Sequence, residues 1–179
     1  MNGFVALFSG INVGGNRIVK MAELRAFFEQ LGFADVASYV QSGNMVFCSA
    51  HTDVTALTTT LQGAFQQRWG FHSRIMVRDA AWLARLVADN PYPEIADDPT
   101  KLHAMVLERE PTPEEVARLA EKCTGPERFK VKGDVLYLHA PEGLGKSKFA
   151  EILPRTLKVP GTTRNWRSVL ALAEMIAPR

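Results

Sequence analysis

Short apolar runs alternate with helical repeats along the first half of the chain. Residues 4–8 and 45–48 are continuously apolar, which predicts strands buried on both faces. Apolar residues recur at helical spacing in 21–31 and 54–69, and each repeat is followed by a glycine suited to ending a helix. This half of the chain is therefore predicted to contain both helices and buried strands.

Two more polar strands complete the pattern of the first half. Residues 36–41 alternate weakly, Ser42-Gly43 supplies a two-residue turn, and 72–78 form a last strand. The resulting order, β-α-β-β-α-β, is that of the split βαβ, or ferredoxin-like, arrangement. In this topology the first and third strands are central, so the apolar runs fall where burial is greatest and the polar strands form the edges.

The second half predicts a related but shorter order of elements. A helix beginning near Asp79 ends at Asn90-Pro91, residues 93–100 form a linker, and 102–107 form an apolar strand. The sequence Thr112-Pro113-Glu114-Glu115 is a capping box that starts a helix. Strands at 128–132 and 135–139 follow, and then a helix. No fourth strand is predicted, because Val159-Pro160-Gly161 is short and broken; a closing helix starts near Trp166.

The predicted fold class is therefore α+β, with two ferredoxin-like (split βαβ) subdomains whose sheets are mainly antiparallel. The second subdomain is expected to be incomplete and to carry an extra C-terminal helix. The predicted boundaries are 1–78 for the first subdomain, 79–100 for a helix and linker, and 101–179 for the second α+β subdomain.

The composition indicates the class of protein. A chain of 179 residues with 46% hydrophobic and 22% charged residues is an ordinary globular sequence. It has no apolar stretch long enough to span a membrane, so we expect a cytoplasmic protein without a membrane partner. Its two cysteines, Cys48 and Cys123, are expected to be reduced, buried thiols.

Charge is unevenly spread along the chain. From Lys122 onward there are 11 Lys and Arg residues against 5 Asp and Glu residues, whereas the preceding residues carry 10 against 14. Such an excess is typical of proteins that bind nucleic acid or a phosphorylated ligand, and it is also found on ordinary solvated surfaces. The C-terminal half is therefore where we look first for an anion site.

The glycine-containing segment 143–148 is the main candidate in that half. Gly143, Gly145, Lys146, Ser147 and Lys148 lie between a predicted strand and a predicted helix, where backbone amides and a lysine can hold phosphate. A nucleotide-hydrolysing P-loop would need a further glycine at position 140, which is alanine. Arg164 and Asn165 are added as ligand-binding candidates. The alternative is a simple glycine turn with its lysines in solvent.

Neutral amide side chains form a second candidate group. Asn12 follows the first strand, and Gln41 and Asn44 flank the predicted hairpin turn. From the predicted topology we expect the Asn12 loop and the hairpin to lie at opposite ends of their strands and not to meet. The alternative for these residues is that they hydrogen-bond to the backbone of their own turns.

Other chemistry is not indicated. The four histidines show no metal-ligand spacing, no nucleophile motif is present, and the strand near residues 43–47 lacks the paired aromatic residues of RNA-binding domains. We therefore expect no metal or cofactor, and the sequence identifies no catalytic residues.

Several short strings along nearly the whole chain carry a family resemblance. They are Gly10-Ile11-Asn12-Val13-Gly14-Gly15, Met21-Ala22-Glu23-Leu24-Arg25, Gln41-Ser42-Gly43-Asn44, Asn90-Pro91, Lys101-Leu102-His103, Ser147-Lys148 and Thr162-Thr163-Arg164-Asn165-Trp166. In this order they resemble the bacterial family called domain of unknown function 1697. The resemblance implies no catalytic residues. Many members have arginine where this chain has Ser9, which implies weaker anion binding here if that arginine binds an anion.

Three functions are compatible with these observations. The leading hypothesis is a binding protein for a phosphate-bearing ligand or nucleic acid, which would use residues 143–148 and Arg164. The second is an enzyme acting on a small phosphorylated metabolite, with Asn12 and Gln41 orienting the substrate. The third is a non-catalytic protein-interaction module that pairs through an edge strand such as 128–132, although the lysines of that strand disfavour it.

Overall fold

The computed structural model describes residues 1–95, 98 and 100–176. The chain divides into two compact units, one formed by Met1–Arg85 with the segment from Ala171 onward, and the other by Leu86–Leu170. The predicted domain boundaries remain a prediction. Residues 96, 97 and 99 of the predicted linker, and 177–179 of the predicted second subdomain, lie outside the described residues.

The first unit contains one four-stranded antiparallel sheet. Its elements are β1 (Asn2–Phe8), α1 (Met21–Gln30), β2 (Ala34–Tyr39), β3 (Asn44–Ser49), α2 (Val54–Trp69), β4 (Ile75–Asp79) and the start of α3 (Ala80–Ala88). The strand order is β2-β3-β1-β4, so the two apolar strands are central, as the sequence predicts. Register pairs such as Leu7 with Asn44 place the end of β1 beside the start of β3.

Helix ends in this unit follow the local sequence. Asp53 caps α2, because its side chain accepts hydrogen bonds from the backbone N–H groups of Thr55 and Ala56. Phenylalanines dominate the core between sheet and helices, and Phe8 and Phe65 are both buried with ring centroids 5.3 Å apart. The helices therefore cover one face of the sheet through an aromatic core, which holds the ends of β1 and β3 in fixed positions.

The second unit contains another four-stranded antiparallel sheet. Its elements after α3 are β5 (Leu102–Leu107), α4 (Pro113–Lys122), β6 (Arg128–Lys132), β7 (Val135–His139), α5 (Lys148–Leu157), β8 (Gly161–Asn165) and the start of α6 (Trp166–Ile176), with 3-10 turns at Pro93–Ile95 and Leu144–Lys146. The order is β6-β7-β5-β8, which matches the order of the first sheet. The predicted capping box is present, with Thr112 and Glu115 bonded reciprocally.

The expectation of an incomplete second subdomain is wrong. Strand β8 pairs antiparallel with β5, from Leu107 opposite Gly161 to His103 opposite Asn165. The pattern of the sequence does not predict this strand, because its two buried residues, Thr162 and Arg164, are polar. Backbone pairing with the neighbouring apolar strand holds β8 in place.

The cysteines are less buried than expected. Cys48 and Cys123 are free thiols and only half-buried. Burial raises the pKa of both, and the Asp35 carboxylate raises that of Cys48 further. Both thiols are therefore poorly ionised near neutral pH.

Candidate functional site

The ten candidate residues fall into two groups in different units. Asn12, Gln41 and Asn44 belong to the first unit, and all the others lie in the second.

The segment between β7 and α5 leads into a capped helix. After Gly143, which has a φ of 88°, the chain forms the 3-10 turn and reaches Ser147, the N-cap of α5. The Ala150 N–H donates to Ser147 Oγ at 3.0 Å, and this hydroxyl donates to Glu127 Oε1 at 2.5 Å. Ser147 therefore makes two intramolecular hydrogen bonds and is buried, which makes it a structural residue of this turn.

The first two backbone amides of α5, unlike that of Ala150, have no acceptor within the helix or its cap. Lys148 and Phe149 are the first two residues of α5, and their N–H groups have no acceptor within the helix because no helical residue precedes them by a full turn. The positive end of the helix dipole lies at the same place. An anion at this end of α5 would therefore meet two donors and a favourable field.

A cavity of about 400 Å³ opens beside this segment. Its apolar lining comes from strands β5 and β7, the 3-10 turn and helix α5, chiefly Met105, Leu136, Leu138, Leu144 and Leu153. Lys146 and Lys148, both exposed, lie on its rim. Glu151 also lines it and pairs with Arg155 at 3.8 Å. The cavity thus combines an apolar interior with a rim that has a small cationic excess.

A second cavity, of about 350 Å³, lies on the other side of the same segment. It shares Lys146, Ser147 and Lys148 with the first and adds Lys122, but Glu127 and Glu142 also line it. Each cavity thus has one more lysine than carboxylate in its lining. The first cavity is the better candidate for a ligand with an apolar part, because leucines from β7, the 3-10 turn and α5 line it.

The side chains of Arg164 and Asn165 make intramolecular hydrogen bonds and do not line the first cavity. Arg164 is only 7% exposed, and its guanidinium donates to Thr162 Oγ1 at 2.7 Å and to the Thr163 carbonyl at 2.9 Å. Burial lowers its pKa to about 10, so it is still cationic at neutral pH. Asn165 caps α6, since its Oδ1 accepts from the Ser168 N–H at 2.9 Å. Only their neighbour in β8, Thr163, lines the first cavity.

In the first unit, the expectation that the Asn12 loop and the hairpin do not meet is wrong. The Asn12 side-chain N–H donates to the Gln41 carbonyl at 2.8 Å. The error is one of strand direction: β1 runs antiparallel to β3, so the end of β1 lies beside the hairpin that starts β3.

Asn12 also organises its own loop. Its amide donates to the Val19 carbonyl at 2.9 Å and its Oδ1 accepts from the Val19 N–H at 2.8 Å. Asn44, which is fully buried, donates to the Tyr39 carbonyl at 3.1 Å and to Ser42 Oγ at 2.9 Å. Both amides are therefore engaged in hydrogen bonds that hold these loops, whereas the Gln41 side chain is exposed.

Several residues that line the two cavities beside Lys146 and Lys148 have no signal in the sequence. Glu127 is separated from Ser147 by 20 positions, and Met105 and Leu136 belong to strands whose apolar character indicates core and not a cavity wall. No local spacing connects these residues, so only the folded chain brings them together.

The described part of the chain contains no cluster of three or more His, Cys, Asp or Glu side chains placed to hold a metal ion. Within that same part, no helix is long and apolar enough to cross a membrane.

Comparisons with known proteins place the chain in a family. A conserved bacterial protein from Streptococcus pneumoniae, SP0830, has a solved structure that matches over 98% of both chains, with a TM-score of 0.73 and 23% sequence identity. At this identity the likeness shows the fold alone. The search of curated proteins found no match. The model of the protein family of unknown function DUF1697 matches residues 1–137. The chain therefore belongs to the DUF1697 family.

Proposed function

We propose that the second unit binds a small phosphate-bearing ligand that also has an apolar part. The observation that carries the proposal is the cavity of about 400 Å³ whose interior is apolar and whose rim holds Lys146 and Lys148. Cavities of this size and composition are typical of small-molecule sites.

The rim supplies the interactions that a phosphate needs. The ammonium groups of Lys146 and Lys148 provide charge, and the backbone amide of Lys148, in the first turn of α5, provides a donor at a residue that lines the cavity. Glu151 lines the same cavity, and its carboxylate opposes an anion there. We therefore expect moderate affinity that depends strongly on ionic strength.

The apolar interior supplies selectivity. Leu136, Leu138 and Leu153 are already almost fully shielded from water. Leu144, Ala150 and Pro154 line the same cavity and are half-buried or exposed, so a ligand group resting against them would exchange water for an apolar surface. Inorganic phosphate alone would leave this interior unused. An aromatic or aliphatic phosphate monoester fits both parts of the site.

The alternatives have less support. Nucleic acid would use the same lysines, but they border a concave cavity and do not form an extended basic stripe. The enzyme hypothesis placed Asn12 in contact with substrate, whereas its amide is engaged with Val19 and Gln41. The edge strand β6 alternates exposed and half-buried residues, and no observation favours it as a pairing surface.

Calorimetric titration at low ionic strength tests the proposal. The ligands are phenyl phosphate, inorganic phosphate, benzyl alcohol and a single-stranded oligonucleotide. We expect phenyl phosphate to bind more tightly than phosphate or benzyl alcohol, and Lys146→Ala to weaken it roughly ten-fold by removing one charge-assisted contact.

The matched control is Lys130→Ala, which removes an exposed lysine of β6 that lines neither cavity. It should bind as the wild type does. Equal affinity of the wild type and Lys146→Ala for phenyl phosphate would refute the proposed site. Tighter binding of the oligonucleotide than of phenyl phosphate would replace it with the nucleic-acid alternative.

A further inference from the structure

One end of the first sheet is formed by three loops, residues 9–20, 40–43 and 70–74. The Asn12 hydrogen bonds described above join the first two loops. The first and third are joined by the Ser9 N–H, which donates to the Arg74 carbonyl at 2.9 Å. We refer to the surface of these three loops as the loop end.

Among the described residues, the large exposed aliphatic side chains are concentrated at the loop end. Val13 is 66% exposed, Ile18 60% and Val40 52%, and the described residues include one other large hydrophobic side chain of comparable exposure, Met1. Water contact with such groups is unfavourable, and their grouping on adjoining loops indicates a surface that is covered during function.

The first loop forms a small β-hairpin that carries Val13 away from the core. Val13 and Asn16 form an antiparallel bridge, and the turn between them is Gly14-Gly15, with φ of 58° and 76°. Positive φ at both central residues is the geometry of a type I′ turn, which glycine adopts without cost. The loop is therefore a defined projection.

The charge of the loop end has one sign. Its three loops contain Arg17, Lys20 and Arg74 and no aspartate or glutamate. The Lys20 side chain is 77% exposed and lies 3.6 Å from Glu23, in the first turn of α1. An anionic partner surface would thus meet cations and no carboxylate within the loops themselves.

Val40 occupies an unfavourable backbone conformation. Its φ is 51°, in the left-handed region that a β-branched residue rarely adopts. Asparagine or glycine would fit this position with less strain. An exposed valine at a strained position is accounted for if its side chain serves a contact at the expense of stability.

The chemistry of the loop end separates the possible partners. Single-stranded nucleic acid is typically held by stacking on exposed aromatic rings, and the Phe71 ring of the third loop is half-buried with the Arg17 guanidinium 5.4 Å from its centroid. Protein interfaces depend on Trp, Tyr and Arg anchors, and valine is under-represented among them. Aliphatic tips beside cations are the composition of surfaces that enter the headgroup region of anionic lipid.

We propose that the loop end binds reversibly to an anionic lipid surface, with Val13, Ile18 and Val40 entering the headgroup region and Arg17 and Lys20 contacting lipid phosphates. Such a contact needs no membrane-spanning helix. The expectation of no membrane partner rested on the lack of a spanning segment, so it did not address this mode of contact.

Co-sedimentation with vesicles tests this proposal. We expect the protein to bind vesicles of mixed phosphatidylglycerol and phosphatidylcholine and to bind phosphatidylcholine vesicles weakly. Val13→Ser, Ile18→Ser and Arg17→Gln should each lower the apparent affinity for these vesicles by about five-fold or more. The first two remove apolar groups that lipid would bury, and the third removes a charge. The control Arg118→Gln removes an exposed cation of α4 and should have no effect.

Val40→Asn gives the most discriminating result, because it should raise the melting temperature while lowering vesicle binding. If Val40 had only a structural role, Val40→Asn would raise the melting temperature without lowering vesicle binding. Absence of binding to phosphatidylglycerol vesicles, or loop variants that bind as the wild type does, would overturn the proposal. Binding of RNA or DNA through the same residues, in place of vesicles, would also overturn it.

Discussion

The Asn12 side chain joins two loops that are far apart in sequence, by donating to the Gln41 carbonyl at 2.8 Å. The same side chain exchanges two hydrogen bonds with Val19. One asparagine thus holds the loop after β1 closed and fixes it against the β2–β3 hairpin.

Removal of this side chain should destabilise the first unit. Asn12→Ala loses three hydrogen bonds and places alanine at a φ of 55°, so we expect a loss of about 2–3 kcal/mol in unfolding free energy. Urea unfolding of the wild type and of the variant measures this loss. The control is Asn16→Ala, on the exposed part of the same loop, which should change stability little. Similar losses for both variants would show that the Asn12 bonds do not hold the loop.

Gly43 provides a second test of how closely these loops approach. Its backbone has a φ of 74°, and a Cβ added there would lie 2.6 Å from Phe8 Cβ and 2.7 Å from Ile11 Cδ1. Gly70 has nearly the same φ, 73°, but nothing within 4 Å. We expect Gly70→Ala to cost about 1 kcal/mol and Gly43→Ala about 3 kcal/mol, because only the latter adds overpacking to backbone strain.

This pair of variants is informative because the two glycines have nearly the same backbone conformation, whereas only Gly43 has close neighbours. Thermal and urea unfolding of both proteins give the comparison. Equal destabilisation would mean that Phe8 and Ile11 can move aside, and that the contact between the hairpin and the end of β1 is loose.

Glu115 predicts a pH dependence in the second unit. Its carboxylate accepts from the Arg109 guanidinium at 2.7 and 2.8 Å and from the Thr112 N–H at 2.8 Å. These hydrogen bonds lower the pKa of Glu115 from its usual 4.5 to about 2. Because the folded pKa is the lower one, the stabilisation is fully present above pH 4.5 and is lost as the pH falls toward 2.

Glu115→Gln should therefore be less stable than the wild type near neutral pH, and the difference should shrink below pH 4. Urea unfolding of both proteins, from neutral pH to below pH 4, measures this stability difference. Glu121→Gln, which alters an exposed glutamate on the same helix, is the control. A stability difference that does not change with pH would contradict the assigned hydrogen bonds.

Much of the fold was predictable because local and global preferences agree. The buried strands, the Asp53 cap and the Thr112–Glu115 capping box all depend on residues close in sequence. Strand β8 was missed because its buried residues, Thr162 and Arg164, are polar. Its presence depends on pairing with β5, which is remote in sequence.

The candidate site was predictable only in part, for the same reason. Residues 143–148 are contiguous, and their glycines and lysines are visible in the sequence. The cavity beside them is formed by side chains from β5, β7 and α5, whose apolar pattern is the same whether they line a cavity or fill a core. The contact between Ser147 and Glu127 spans 20 residues and has no local pattern.

Amide chemical shifts of isotopically labelled protein, recorded during titration with phenyl phosphate, test the central proposal most directly. We predict saturable shifts at Gly145 and Lys148 and at Leu153 on the cavity wall, which Lys146→Ala reduces and Lys130→Ala leaves unchanged. Spectra that stay unchanged at millimolar ligand, or saturable shifts confined to residues away from the cavity, would contradict the account.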